Sequence, residues 1–346
     1  MSQQKVVHLL SKHGPFAVAS APVPKPGPGE VLIKVQSTAL NPVDWKIPAW
    51  GIFIEHFPAI LGGDAAGNVE EVGEGVTNLK KGDRVCAADK RSVNEHSTFQ
   101  QYKLGYANAT GKIPDNLSFD QAATIPLGLA TAAIGLFHEG AVTGSVGLFP
   151  PWEDGGRALY AGEPIVVVGG ASSVGQYVIQ LAKLAGFRPI IATASLHNAE
   201  YLKNLGATHV LDRNLPDATL IAEVKKITLA PIRVVFDAIS ESETQNVAYA
   251  IVASGGTLVL VLPSAIENKT DDKRIVYPYG NTNVPGNRRL GASLYSKITV
   301  LLEEGVVKPN PVEVLPNGLE GIIAGLEKLK QGVSNVKLVG HPQETV

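Results

Sequence analysis

Two rhythms of hydrophobic and polar positions divide the chain. Up to about residue 120 the apolar runs are short and separated by Gly/Pro turns, with no regular alternation with helices. Residues 5–12 and 16–19 read as short strands about the His13-Gly14-Pro15 turn, and residues 22–29 form a Pro/Gly-crowded loop. Residues 30–40 give a strong strand signal, and residues 82–87 lead into the apolar Val85-Cys86-Ala87. Such a pattern predicts a small, β-rich, barrel-like unit rather than part of a parallel sheet. Residues 119–137 change character: Ala- and Leu-rich helical stretches surround Ile125-Pro126, and an irregular insertion over 140–162 follows, of a length usually reserved for functional loops or disorder.

From Ile165 the rhythm is strand, helix, strand. Strands are predicted over 165–168, 189–194, 206–212, 232–237 and 257–262, with helices over 173–185, 199–205, 220–228 and 244–251 between them. Alternation of this kind implies a doubly wound parallel sheet with right-handed crossovers, an α/β architecture beside the β-rich unit. Residues 263–290 are polar and rich in Asn, Pro and Gly. An amphipathic helix over 294–305, a strand over 312–316, a helix over 319–331 and a last strand over 336–339 close the chain. That last strand has no place in the doubly wound unit.

The stretch joining the first predicted strand to its helix reads Ile165-Val166-Val167-Val168-Gly169-Gly170-Ala171-Ser172-Ser173-Val174-Gly175. A β-branched run, a glycine turn and a helix start make a ready anion site, because first-turn N–H groups lack intrahelical acceptors and the helix dipole favours negative charge. Gly170 and Gly175 fit the first and third positions of the Gly-x-Gly-x-x-Gly dinucleotide fingerprint. Ser172 stands at the second, where its hydroxyl can itself donate to phosphate.

Composition narrows the classes. At 346 residues the chain exceeds the size at which one core stops growing, so two domains are expected. A net charge of −2 and no Lys/Arg run give no attraction to nucleic acid or membrane. No apolar run is long enough to span a bilayer, and no secretory signal or lipidation motif is visible, so a cytoplasmic protein is the expectation. The single cysteine, Cys86, can form neither an internal disulfide nor a four-cysteine zinc site; it reads as a small core residue rather than a reactive thiol.

Cofactor choice rests on the end of the second parallel strand. A carboxylate there would bind a ribose 2′-hydroxyl and repel a 2′-phosphate. Here the stretch is Thr193-Ala194-Ser195-Leu196-His197-Asn198, with no Asp or Glu before Glu200. NADPH rather than NADH is therefore expected, with Ser195, His197 and Asn198 as phosphate donors and Arg213 on the adenine side; the same residues would also serve as helix caps. The polar cluster Asn41-Pro42-Val43-Asp44-Trp45-Lys46 directly after a strand reads either as a site loop or as a turn into a short helix capped by Asp44.

Taken together, these segments resemble the medium-chain dehydrogenase/reductase superfamily. The matching signals are Asn-Pro-Val-Asp-Trp-Lys at 41–46, Leu-Gly-Gly-Asp-Ala-Ala-Gly at 61–67, Gly-Asp-Arg-Val at 82–85, Ala-Ala-Thr-Ile-Pro-Leu-Gly-Leu-Ala-Thr-Ala at 122–132 and Gly-Gly-Ala-Ser-Ser-Val-Gly at 169–175, in the family's order over nearly the whole chain. Ser-Leu-His-Asn at 195–198 resembles the 2′-phosphate turn of the fungal zinc-independent enoyl reductases, a branch that includes trans-acting partners of polyketide synthases. The resemblance implies a discontinuous GroES-like catalytic domain of residues 1–128 and 292–346, with a Rossmann NADP-binding domain of residues 129–291 inserted. It implies cofactor contacts from Val43, Lys46, Gly170, Ala171, Ser172, Ser173, Val174, Gly175, Ser195, His197, Asn198, Arg213, Val261, Leu262 and Lys337. A polyketide synthase and a second copy of the chain are the partners it allows.

This chain departs from the zinc-dependent members. The 41–46 loop has no Cys, and Gly63-Asp64 stands where those enzymes place a His-Glu pair. Asp64 and His96 do not make the compact set of three ligands that zinc wants, so no metal is expected. Without a Lewis acid, alcohol oxidation loses its usual engine. What remains is conjugate reduction: hydride adds to the β-carbon of an α,β-unsaturated carbonyl, and the enolate is stabilised and protonated at the α-carbon. Lys46 is the candidate for stabilising that charge. Tyr102 is the candidate proton donor, with Tyr279 a lesser one and water the alternative. A quinone oxidoreductase and a non-catalytic NADPH-binding sensor are the competing readings.

Overall fold

The computed structural model describes residues 2–88, 92–138 and 144–346. In chain order the first half runs β1 (Gln3–Leu9), β2 (Phe16–Pro22), β3 (Glu30–Ala39), α1 (Pro42–Trp50), β4 (Ala59–Ile60), β5 (Asp64–Val72), β6 (Arg84–Ala88), β7 (Tyr102–Tyr106), β8 (Thr110–Lys112), α2 (Phe119–Ala123) and α3 (Pro126–Phe137). The second half runs β9 (Ile165–Val168), α4 (Ser173–Ala185), β10 (Ile190–Ala194), α5 (Ala199–Leu205), β11 (His209–Asp212), α6 (Asp217–Ile227), β12 (Val234–Asp237), α7 (Ser242–Ile251), β13 (Thr257–Leu260), β14 (Arg274–Val276), α8 (Arg288–Glu303), β15 (Val312–Val314), α9 (Gly318–Gln331) and β16 (Lys337–Gly340). Contacts divide the chain into two compact units. One comprises Met1–Leu127, Asn281–Glu303 and Pro309–Val346, the other Gly128–Gly280 and Glu304–Lys308.

Among the described residues, the first unit holds a sheet in the order β15-β16-β3-β5-β6-β8, with β7 added against β3, and a smaller sheet β2-β1-β4. Its long strand, β3, pairs antiparallel with β5 through two register shifts, at Leu32/Ile33 and Val35/Ser37. Such bulges increase local twist and let a sheet curl. Val31, Ile33, Val69, Val85 and Ala87 fill the interior, and Val6, Leu9, Leu40, Ile47, Phe99, Ile322 and Leu338 build a second cluster between the small sheet, α1 and α9. Each fully buried aliphatic side chain of this kind contributes roughly 1.5–3 kcal/mol. The strand at 336–339 finds its place here, since β16 pairs antiparallel with β3 at Val339–Ala39 and Gly340–Thr38.

The second unit is a parallel sheet in the order β11-β10-β9-β12-β13-β14, doubly wound with its switch point beside β9. β9 is buried at all four residues, as its Ile-Val-Val-Val run requires of a strand covered on both faces. α4 is capped at its start by Ser172, whose Oγ accepts the Gly175 N–H at 3.0 Å, and it stops at Gly186 with φ of 96°.

Several boundaries differ from the pattern reading. β2 runs on to Pro22, because Gln3–Pro22 is a single unbroken register with β1. The segment 263–290 is not wholly irregular; β14 adds an edge strand through Thr257–Arg274 to Val259–Val276, a three-residue strand too short to carry periodicity. α8 begins at Arg288, six residues before the expected start, because its polar first turn has no apolar stripe to announce it. β13 ends at Leu260, since the Val261 N–H goes to Ser240 Oγ at 2.9 Å instead of the ladder. Of the insertion at 140–162, residues 140–143 lie outside the described residues; 144–162 hold neither helix nor strand, with turns from 151 onward.

Candidate functional site

Within the parallel unit, the glycine turn and the neutral turn meet at one end of the sheet. Gly169 adopts φ of 75°, which only glycine takes without strain. Its N–H donates to Thr193 Oγ1 at 3.1 Å, and the Gly170 N–H donates to Thr193 O at 2.9 Å, so the turn is tied to the end of β10. A Cβ on Gly175 would lie 2.3 Å from Gly169 O, and one on Gly170 would lie 2.9 Å from Ala192 Cβ. These glycines therefore let α4 close onto its own turn and onto β10.

Ser195-Leu196-His197-Asn198 follows β10 as a short 3-10 turn, with the Asn198 N–H donating to Ser195 O at 2.9 Å. His197 is exposed and Asn198 buried. The backbone brings Arg213 to the same corner: Ala194 pairs with Asp212, and the Arg213 N–H donates to Ala194 O at 3.0 Å. On the other side of β9, Val261 is held by a strut that the pattern reading did not single out. Asp237 Oδ1 accepts the N–H groups of Ile239 (3.0 Å) and Ser240 (2.8 Å), Oδ2 accepts the Thr244 hydroxyl (2.7 Å), and Ser240 Oγ accepts the Val261 N–H. Burial pushes the Asp237 carboxyl up, and those donors oppose the rise. An acid closing an apolar strand, in Val-Val-Phe-Asp, is the only signal of this strut in the sequence.

The turn fits a dinucleotide pyrophosphate. Ser172 Oγ accepts the Gly175 N–H and keeps its own hydrogen to donate, Ser173 and Val174 present the first-turn backbone, and Ala171 lies just before the cap. Val261 and Leu262 follow β13 at the same, C-terminal edge of the sheet.

In the other unit, the 41–46 segment is the start of α1 rather than a loop, with Pro42 at its first position. Asp44 Oδ2 accepts the Asn41 N–H at 2.8 Å, which caps the helix. The Asn41 side chain is directed elsewhere: its Nδ2 donates to Asp64 Oδ2 at 2.8 Å and its Oδ1 accepts from Lys337 Nζ at 2.5 Å. Lys337 also pairs with Asp64 at 3.1 Å, and the Leu127 N–H donates to Asp64 Oδ1 at 2.6 Å. Asn41 (4%), Asp44 (2%), Asp64 (0%) and Lys337 (4%) are all excluded from solvent. A charge so buried persists only when paired and hydrogen-bonded, and here every element of the knot supplies a partner.

Lys46 lies on the same helix, with its ammonium 5.5 Å from the Trp45 ring and 5.1 Å from the Trp50 ring. Val43, half-buried, packs against the α1–α9 cluster. Tyr102 sits on β7 opposite Lys34, with its N–H donating to Gln4 Oε1 at 2.7 Å. Thus the structure joins Lys337 to the Asn41–Asp64 pair but records no contact of Tyr102 with that knot. His96 is apart from Asp64 as well: its Nε2 lies 3.1 Å from Glu30 Oε1. Among the described residues, no group of three or more His, Cys, Asp or Glu is placed to hold a metal ion. Cys86 is buried in β6, and desolvation together with the Asp64 charge pushes its thiol up to about 12, so it is an inert core residue.

A β-rich unit closed by the chain's own C-terminal strand, together with a doubly wound unit carrying a glycine-rich βα turn, defines a two-domain oxidoreductase of the dehydrogenase class. Residues 27–132 match the family described as alcohol dehydrogenase GroES-like domain, and residues 173–279 match that described as zinc-binding dehydrogenase. A dehydrogenase of Emericella nidulans, orsE, is 31% identical over 98% of this chain and 99% of its own length. A trans-enoyl reductase of Alternaria alternata is 31% identical over 96% of this chain and 97% of its own. The chain is therefore an oxidoreductase of the medium-chain dehydrogenase/reductase superfamily, among its fungal enoyl reductase-like members. The fold is shared with an alcohol dehydrogenase superfamily protein from Novosphingobium aromaticivorans (TM-score 0.79, 23% identity, 97% and 98% of the two chains). It is shared too with a quinone oxidoreductase from Coxiella burnetii (0.71, 24%, 98% and 99%) and a mycobacterial protein complexed with NADPH (0.76, 21%, 98% and 100%). No helix among the described residues is long and apolar enough to cross a membrane.

Proposed function

We propose that this protein is an NADPH-dependent reductase of the C=C bond of α,β-unsaturated carbonyl compounds, working without zinc. The observation that supports the cofactor half is the turn Ser195 to Asn198 after β10, which carries no carboxylate and beside which the Arg213 backbone is tied to Ala194. Neutral donors and a guanidinium suit a 2′-phosphate; an acid would repel it. The substrate half draws on the curated relatives, one of which is named a trans-enoyl reductase, and on the commitment of Asp64 to internal partners.

When bound, the cofactor supplies hydride, which a conjugated carbonyl accepts at its β-carbon. The chain's own residues do the rest. The turn at 170–175 and the corner at 195–198 bind and orient. Lys46, whose ammonium lies over two indoles, stabilises the negative charge that develops on the carbonyl oxygen. A proton is then delivered to the α-carbon, by Tyr102 or by water.

The test is steady-state turnover with NADPH and with NADH against an enone, an enal and a benzoquinone. A large preference for the quinone would replace this reading with that of a quinone oxidoreductase, and absence of turnover with tight NADPH binding would replace it with a sensor. Ser195→Asp should weaken NADPH far more than NADH; an unmoved preference overturns the cofactor assignment.

A further inference from the structure

At the C-terminal edge of the parallel sheet, β12 and β13 are joined by a side chain rather than by backbone. The two strands run in parallel register as far as Asp237–Leu260. One residue on, the Ser240 hydroxyl stands between them: Oγ donates to Asp237 O at 2.8 Å and accepts the Val261 N–H at 2.9 Å. A hydroxyl thus spans the gap where both strands leave the sheet, and a doubly wound sheet binds its ligand in the crevice outside that edge.

Ser240 holds this place against its own backbone preference. Its φ of 58° is left-handed, which a residue other than glycine keeps only when its surroundings impose it. Asp237 imposes it: Oδ1 accepts the N–H groups of Ile239 and Ser240, and Oδ2 accepts the Thr244 hydroxyl from the first turn of α7. Gln245 extends the network to the segment after β13. Its Nε2 donates to Ser240 O at 2.7 Å and to Pro263 O at 3.0 Å, and its Oε1 accepts the Ala265 N–H at 2.7 Å. Asp237, Ser240 and Gln245 are 0%, 2% and 1% exposed, so the strained turn sits in a buried and well-bonded network.

Two contacts tie this turn to the glycine turn. The Ala238 N–H donates to Val168 O at 3.0 Å, and a Cβ on Gly169 would fall 2.4 Å from Ile239 Cγ1, so Ile239 packs onto the start of the glycine turn. The strand order then divides a dinucleotide between the two sides of β9. Its pyrophosphate belongs at the turn after β9, and its 2′-phosphorylated adenosine half on the β10 side at Ser195 to Asn198. The other half falls on the β12–β13 side, where Val261 and Leu262 are half-buried.

We propose, resting on the NADPH reading of this edge, that Asp237 and Ser240 are positioning residues for the nicotinamide half of the cofactor. Asp237 sets the left-handed turn, and the Ser240 hydroxyl fixes Val261 beside that half.

Titration calorimetry of the full chain with NADPH and with 2′-phospho-ADP-ribose, which lacks only the nicotinamide, separates positioning from folding. Ser240→Gly removes the hydroxyl at a φ that glycine takes without strain, so circular dichroism and Tm should change little. NADPH should bind this variant about three- to tenfold more weakly, as loss of one hydrogen bond implies, while 2′-phospho-ADP-ribose binds as to wild type. Thr244→Val, which loosens Asp237 and leaves the Ser240 hydroxyl in place, should show the same selective loss at roughly two- to threefold. Equal weakening of both ligands in either variant overturns the proposal, because a merely structural role does not distinguish them. Unchanged NADPH binding by Ser240→Gly overturns it too. Wild type that binds no dinucleotide overturns the proposed function and this role with it. A preference for NADH overturns only the choice of cofactor, and NADH against ADP-ribose then makes the same comparison.

Discussion

Replacing Lys337 by Met is the sharpest probe of the buried knot. Met fills nearly the same volume but removes the ammonium that lies 3.1 Å from Asp64 Oδ2 and 2.5 Å from Asn41 Oδ1. The Asp64 carboxylate, 0% exposed, would keep the Asn41 amide and the Leu127 N–H but lose its only countercharge in the knot. At an effective dielectric of about 20, a pair at this distance attracts by about 5 kcal/mol. Removing one partner of a buried pair costs about 3–5 kcal/mol in practice. At roughly 2–4 °C per kcal/mol for a unit of this size, Tm should fall by roughly 6–20 °C. Urea unfolding followed by the fluorescence of Trp45 and Trp50, both on the helix that leaves Asn41, would measure it. Adding Asp64→Asn should recover part of the loss, because no orphaned charge remains. A loss below about 1 kcal/mol would refute the view that this ion pair secures β16 to the unit.

Gly175→Ala should abolish cofactor binding with a smaller effect on folding, because its Cβ would sit 2.3 Å from a backbone oxygen of the turn; cofactor titration and circular dichroism separate the two. His341 bonds both Asp120 and Glu344 at 2.8 Å, while Asp120 also accepts the Ser37 hydroxyl. Burial opposes its charged form, but the Glu344 and Asp120 bonds and charges outweigh that and hold His341 above its ordinary value. A raised folded value means the stabilisation is full below the ordinary histidine range and fades as pH rises through the folded value. His341→Gln should therefore cost most stability at pH about 5–6 and least well above neutrality, as urea midpoints across pH would show. Native protein should resist iodoacetamide at Cys86, whose thiol is pushed up to about 12, and react only on unfolding; stoichiometric native labelling would contradict its burial.

Much of the second unit was legible because its signals are local. A buried β-branched run, a glycine turn and an apolar helix stripe each need only their neighbours in sequence, and α4 and α5 fall on their expected bounds. Short or polar elements were not legible. β14 has three residues and α8 opens on arginines, so neither carries a period long enough to read. The 41–46 segment was ambiguous because Asn, Pro and Asp serve turns and helix starts alike.

By itself, the sequence determined the class of each element, the glycine turn with its capping Ser172, and the absence of an acid after the second parallel strand. All of these follow from residue types a few positions apart. Tertiary structure alone decided that Lys337, on the last strand, ends against Asn41 and Asp64, and that the Ser240 hydroxyl stands between Asp237 and Val261. The partners of the first case are brought together by antiparallel pairing of β16 with β3. Strand pairing and burial join residues hundreds of positions apart, and a buried charge or hydroxyl acquires its meaning only from what that packing places beside it.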